Sequence, residues 1–248
     1  MRVLLLADIH SNLTALQAVI KDAQAHGPIE AMWSLGDQVG YGPDPVACLK
    51  LLKESGAICI AGNHDVAVVG HASLEEFNMY AATACVWTGA QLGEAEEATL
   101  QALSPMVQEA GCTLVHGSPR DPIWEYMAGP DVAEDNFPAF DTSLCFVGHT
   151  HMPSVFEWLE GGPPGSRVSA RLLDDGEVVE VKDQRLIYNP GGLGQPRDGD
   201  PRASYALYDT AAATLTHHRV TYDIKSVQSR MEAAGLPGYL ITRLARGR

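Results

Sequence analysis

Positive charge is scarce in this chain. Lys and Arg total 17 against 31 Asp and Glu in 248 residues, a formal net charge of −14. Holding nucleic acid by bulk electrostatics needs Lys and Arg against the phosphates, so stable nucleic-acid binding is not expected. Anionic membrane surfaces are disfavoured on the same ground. Bound metal ions reverse such a charge locally, so an anion can still be held at a metal site. Cysteine is sparse as well. Cys48, Cys59, Cys85, Cys112 and Cys145 are odd in number and form no C-x-x-C pair. Most sit in apolar runs and read as small core residues in a reducing compartment rather than as a disulfide framework. No apolar run approaches the ~20 residues of a membrane span. The opening MRVLLLADIH is too short and too quickly acidic for a signal peptide, so a cytoplasmic protein is expected.

Apolar residues are plentiful at 46%, enough for a sizeable core. Arg2 to Ala7 holds VLLLA, a run that suits a strand buried on both faces. Leu13, Leu16, Ile20 and Ala23 then recur at helical spacing, with Asn12 as a natural N-cap and Gly27-Pro28 as a stop. Strands at 31–35 and 57–61 flank a helix over 46–54. This βαβαβ alternation predicts a layered α/β fold. Two helices around Gly93 are expected in 74–103, either as a cap over a site or as outer layer. Short strands follow at 107–115, and a weak helix is expected near Val132. From Ser154 to Asp209 the alternating patterns of antiparallel strands dominate, another strand spans 214–221, and a helix spans 223–234. The expected architecture is a four-layer α/β/β/α sandwich of two mixed sheets flanked by helices, in a single domain over 1–248.

Five segments place Asp, Asn or His just after an apolar strand. They are Asp8-Ile9-His10, Gly36-Asp37, Gly62-Asn63-His64-Asp65, His116-Gly117 and Gly148-His149-Thr150-His151. Ligand sites in α/β sheets lie outside the carboxyl ends of strands, so five strand ends bring these groups to one rim. Asp8 and His10 are two apart, as are His149 and His151. In extended backbone each pair points one way. Taken singly, a D-x-H or a Gly-Asp is an ordinary turn signal, and His116 reads equally as a buried core histidine. Asp, Asn and neutral His offer mixed oxygen and nitrogen ligands with no thiolate, a set for Mn, Fe, Zn, Co or Ni rather than Ca²⁺.

D-x-H, GD, GNHD, H and GHTH in this order resemble the calcineurin-like metallophosphoesterase superfamily. The opening DIHSNLTAL resembles its small bacterial and archaeal phosphodiesterase branch. HGSPRDP and NPGGLGQPRDGDPRASY extend the resemblance to about residue 208. The resemblance implies two divalent metal ions, with manganese or iron favoured. Asp8, His10, Asp37 and His151 would hold one, and Asp37, Asn63, His116 and His149 the other. Asp37 would bridge through its two oxygens. The implied activity is hydrolysis of small phosphate esters, phosphodiesters or nucleotides, by attack of a metal-bound hydroxide. Alternatives are a diadenosine polyphosphate hydrolase or phosphomonoesterase, a nuclease, and a non-catalytic scaffold of the same fold.

His64 is not needed as a ligand and is expected to face the substrate, donating a proton to the leaving oxygen or stabilising phosphoryl charge. Asp65 either orients its ring or caps a helix. Asn12 caps the first helix, contacts phosphate, or does both. Arg120 and Arg197 clamp a phosphate or make surface ion pairs. Tyr41, Trp124 and Tyr126 stack on a base or pack their loops. His71, His217 and His218 have no motif partner.

Overall fold

The computed structural model describes residues 1–248. In chain order the strands are β1 Arg2–Leu6, β2 Ala31–Ser34, β3 Ile58–Cys59, β4 Met106–Glu109, β5 Cys112–Val115, β6 Leu144–Phe146, β7 Ser154–Trp158, β8 Val168–Leu172, β9 Val178–Glu180, β10 Leu186–Asn189, β11 Ala203–Asp209 and β12 Thr214–Val220. The helices are α1 Leu13–Ala25, α2 Pro45–Glu54, α3 Asn63–Val68, α4 Met79–Gly89, α5 Glu94–Gln101, α6 Pro130–Asn136, α7 Ile224–Ala233 and α8 Gly238–Leu244. The strands form two six-stranded mixed sheets, ordered β3-β2-β1-β11-β12-β9 and β4-β5-β6-β10-β7-β8. β1, β2 and β3 pair in parallel, as the βαβαβ pattern predicts, and β11 joins β1 antiparallel.

The continuous apolar run of β1 has a direct cause. Val3 and Leu5 face the second sheet, where they meet Leu114, Phe146 and Tyr188. Leu4 and Leu6 face outward onto Leu16 and Val19 of α1 and Leu52 of α2. The second sheet repeats the logic. Leu144 and Phe146 point into the sandwich, while Cys145 points outward to Phe137 and Ala133 of α6. Alternation across a strand with both faces covered thus gives the four layers α/β/β/α.

Three features depart from the sequence reading. The third strand, expected over 57–61, has only two residues. Ile60 N still bonds Ser34 O, but Ala61 N turns away to Ser104 O and the chain leaves the sheet. It enters α3, which no apolar periodicity announced. α8 was likewise not foreseen. It packs through Leu240, Ile241 and Leu244 against α7 and Tyr41. No helix is long and apolar enough to cross a membrane.

Candidate metal centre

The ligand-type residues sit at the strand ends of both sheets and converge on one rim. Asp8 and His10 follow β1, Asp37 follows β2, and Asn63 opens α3 just beyond β3. His116 follows β5, and His149 and His151 follow β6. The D-x-H and H-x-H pairs are not extended, which corrects the expected geometry. Asp8, His10, Asp37, His149 and His151 all have positive φ, between 47° and 64°. Left-handed backbone at a non-glycine residue costs about 1–3 kcal/mol and clusters at functional sites. These turns bring together side chains that an extended strand would space evenly.

Three overlapping groups result. Asp8, His10 and His151 offer ligand atoms within 4.8 Å of one another, and so do Asp37, His116 and His149; His10, Asp37 and His64 form a third that joins the other two. Asn63 Oδ1 joins the second group, 3.2 Å from His116 Nε2. Asp37 lies between the first and second, in a different manner from the one expected. A single oxygen, Oδ2, faces both groups, 3.6 Å from His10 Nε2 and 3.4 Å from His116 Nε2. The other, Oδ1, accepts the His64 backbone N–H at 2.9 Å. Gly62 is required here, because a Cβ at this position would stand 2.1 Å from Asp37 Oδ1.

Each of the four imidazoles is anchored by one nitrogen to a backbone carbonyl. His10 Nδ1 donates to Val39 O, His116 Nδ1 to Leu35 O, His151 Nδ1 to Gln195 O and His149 Nε2 to Trp124 O. A carbonyl only accepts, so the outer nitrogen carries a proton and each ring, when neutral, presents a lone pair inward. His10 Nε2 and His151 Nε2 face each other at 3.2 Å, and His116 Nε2 and His149 Nδ1 at 3.1 Å. Asp8 Oδ2 is buried beside them without a partner. Lone pairs and carboxylates crowded in this way repel unless a cation lies among them. These residues therefore fit divalent cations, and anchoring of each outer nitrogen is the usual support of a metal-binding histidine.

Electrostatics agree with the donor set. Burial holds His10 and His151 well below the usual histidine range, and pushes His149 down to about 3 and His64 down to about 4. His116 is the exception. Burial lowers it, but the Asp37 carboxylate outweighs burial and pushes it up to about 9. Asp37 is itself held well below the carboxylate range, because His116 and His64 outweigh its burial. Asp8 is pushed up to about 7 by burial, with His116 opposing and the Asp37 charge adding. Additional positive charge near Asp8 is what this corner needs.

The remaining residues divide. His64, Arg197 and Tyr41 line a cleft of about 110 Å³ together with Asp37, Asn63 and His149. His64 Nδ1 lies 3.3 Å from Cys85 Sγ. Asp65, named as a possible orienter of that ring, instead accepts backbone N–H groups of Asp37, Gly62 and Val39 at 2.8, 2.9 and 3.2 Å. It fixes the GD turn against the start of α3. Asn12 caps α1. Its Oδ1 accepts from Ala15 N and its Nδ2 donates one hydrogen to Gly194 O. Arg120 pairs with Glu125 and Asp135, the ion-pair alternative. Arg197 bonds only Tyr41 Oη and Gln195 Oε1, and its Nε is buried without a partner. Phe77 and Asn78, just before α4, also line the cleft, so this end of the 74–103 segment closes one side. Nothing in the sequence pointed to Cys85 or Phe77. Both read as ordinary apolar positions.

The calcineurin-like phosphoesterase superfamily domain model matches residues 1–213. A metallophosphoesterase from Sphaerobacter thermophilus has a solved structure that is 47% identical. It superposes with a TM-score of 0.90, covering 100% of this chain and 99% of that one. A curated protein of uncharacterised function from Methanocaldococcus jannaschii is 38% identical over 98% of this chain and 97% of its own length. A hypothetical protein from Pyrococcus horikoshii, 22% identical, shares the fold at a TM-score of 0.77, covering 100% of this chain and 98% of that one. A match of this length and identity makes the chain a member of the calcineurin-like phosphoesterase superfamily.

Proposed function

We propose that this chain hydrolyses small phosphate esters, phosphodiesters or nucleotides, at a centre for two divalent cations. Asp8, His10, Asp37 and His151 would hold one cation, and Asp37, Asn63, His116 and His149 the other. The observation that carries the reading is Asp37 Oδ2, which faces two groups of inward-turned imidazole nitrogens at once. When bound, such cations polarise a phosphoryl oxygen and make water nucleophilic near neutral pH. Manganese or iron suits this oxygen-and-nitrogen donor set.

The chain's own side chains do the rest. Arg197, with a partnerless buried Nε at the cleft, binds phosphoryl oxygens. His64 faces the same cleft, with Nδ1 taken up by Cys85. Its Nε2 delivers a proton or hydrogen bond to the leaving oxygen. Tyr41 carries the Arg197 guanidinium 5.9 Å above its ring and is braced by α7 and α8. This bracing favours one working domain over 1–248. The free cysteines favour a reducing, cytoplasmic setting.

The test is hydrolysis of bis(p-nitrophenyl) phosphate by protein supplied with Mn²⁺, alongside elemental analysis. Turnover that a chelator abolishes, with two metal equivalents per chain, is the expected result. Two metals with no turnover on any phosphate ester would leave a scaffold and refute the proposal.

A further inference from the structure

The cleft has a neighbour that the chemistry above does not use. A groove of about 390 Å³ opens beside it, within the range of small-molecule sites. Met127, Met152, Phe156 and Leu172 form much of its wall. Tyr126 belongs to both spaces, lining the groove and the cleft alike. Its ring lies on the His149 imidazole, with centroids 3.9 Å apart and planes at 23°. Thr150 lines the groove from between His149 and His151, so the loop that carries two candidate ligands also forms its inner wall. An organic group extending from a phosphate at His149 past the Tyr126 ring would enter this groove.

The lining selects the chemistry of that group. The one charged side chain, Arg171, is paired with Glu177, so no free cation waits for a second phosphate. Thioethers and aromatic edges attract the faces and rims of π systems. We propose that the groove is a subsite for a planar aromatic group of the phosphate ester, an aryl ring or a nucleobase. This inference rests on the phosphoesterase reading for the place of the phosphate. The subsite makes the enzyme selective for aromatic esters over alkyl esters and over polyphosphate chains.

The test uses the full chain loaded with diamagnetic Zn²⁺ and labelled at its methionine methyl groups. Phenylphosphonate and methylphosphonate carry the same head group on a P–C bond that is not hydrolysed. Phenylphosphonate should shift the Met127 and Met152 methyl resonances, and methylphosphonate should leave them in place. Adenosine 5′-monophosphate acting at lower concentration than phenylphosphonate assigns a nucleobase, and the reverse order assigns a plain aryl ring. A kinetic arm uses Ala170→Trp, a filling substitution at an exposed strand position of the groove. It should raise KM about tenfold for aryl esters with kcat held, and leave KM for methyl esters unchanged. Methyl resonances that ignore phenylphosphonate at saturation, or equal KM changes for both ester classes, would overturn the subsite while the phosphoesterase reading stands. If no ester is hydrolysed, that reading fails, and the methyl shifts alone decide what the groove binds.

Discussion

Asp37→Asn separates the charge of the bridging position from its shape. The amide can keep the hydrogen bond from His64 N by turning its oxygen to the Oδ1 position. Its NH₂ group then stands where Oδ2 was, 3.6 Å from His10 Nε2 and 3.4 Å from His116 Nε2, and its hydrogens face both ring nitrogens. The same change removes the carboxylate that holds buried His116 protonated, so the metal-free protein loses a buried ion pair as well as the shared anionic ligand. Under a chelator the variant should melt below the wild type. Added metal should widen the gap. A ligand at a hundred times its Kd stabilises the folded state by about 2.7 kcal/mol, which for a chain of this size is about 5–10 °C in Tm. The wild type should gain that rise and the variant little of it. Differential scanning calorimetry with and without Mn²⁺, plus elemental analysis, reads both quantities. Two tightly held equivalents in the variant, with an undiminished rise in Tm, would refute the bridging assignment.

His64→Ala should keep its metal content and lose turnover about 10²–10⁴-fold on nucleoside or alkyl esters, but less on p-nitrophenyl esters, whose leaving group departs without a proton. A flat leaving-group series would remove the acid role, and loss of metal would remove the placement beside the cations. Glu125 accepts from Arg120, Ser118 and Asn136, and Arg120 is the main reason its carboxyl is held down at about 2. A depressed folded pKa gives stability that is complete above the ordinary glutamate value and lost as pH falls from about 4.5 toward 2. Glu125→Gln should cost about 1–3 kcal/mol at pH 7 after discounting for partial exposure, and the gap in denaturant midpoint should close across that window. A gap that persists at low pH would assign the effect to packing instead. Finally, the protein should not shift duplex DNA in a gel at sub-micromolar concentration and physiological salt, because its charge repels a polyanion. Retention without divalent metal would revive the nuclease reading.

The convergence of the candidate ligands was legible because each closes an apolar run, and buried strands announce their ends. Val3 to Ala7 and Leu144 to Val147 are continuous because both faces are covered, which made Asp8 and Gly148 visible as breaks. What lay outside the sequence's reach was set by contacts far along the chain. Cys85 reaches His64 across 21 positions, and its adjacent residues Ala84 and Val86 are apolar. Arg120 and Arg197 look alike in sequence. They differ because Glu125 and Asp135 fold back onto the first, while a tyrosine and a glutamine meet the second. The choice between Asp65 as cap and as orienter likewise waited on three amides that only the folded turn aligns.

Neither candidate ligand group belongs to one sheet. Asp8 and His10 descend from the first and His151 from the second, and Asp37 and Asn63 meet His116 and His149 across the same divide. The apolar interior between the sheets resists separation but is non-directional, so it resists sliding only through side-chain interlock. Coordination is directional and short. Cations held across this rim would act as rivets, joining the two sheets into one rigid body. A shear of about one ångström between the sheets, tolerable to the core, would already pull ligands off their ions. The geometry of such a centre and the mechanical alignment of the two sheets would then be one and the same degree of freedom.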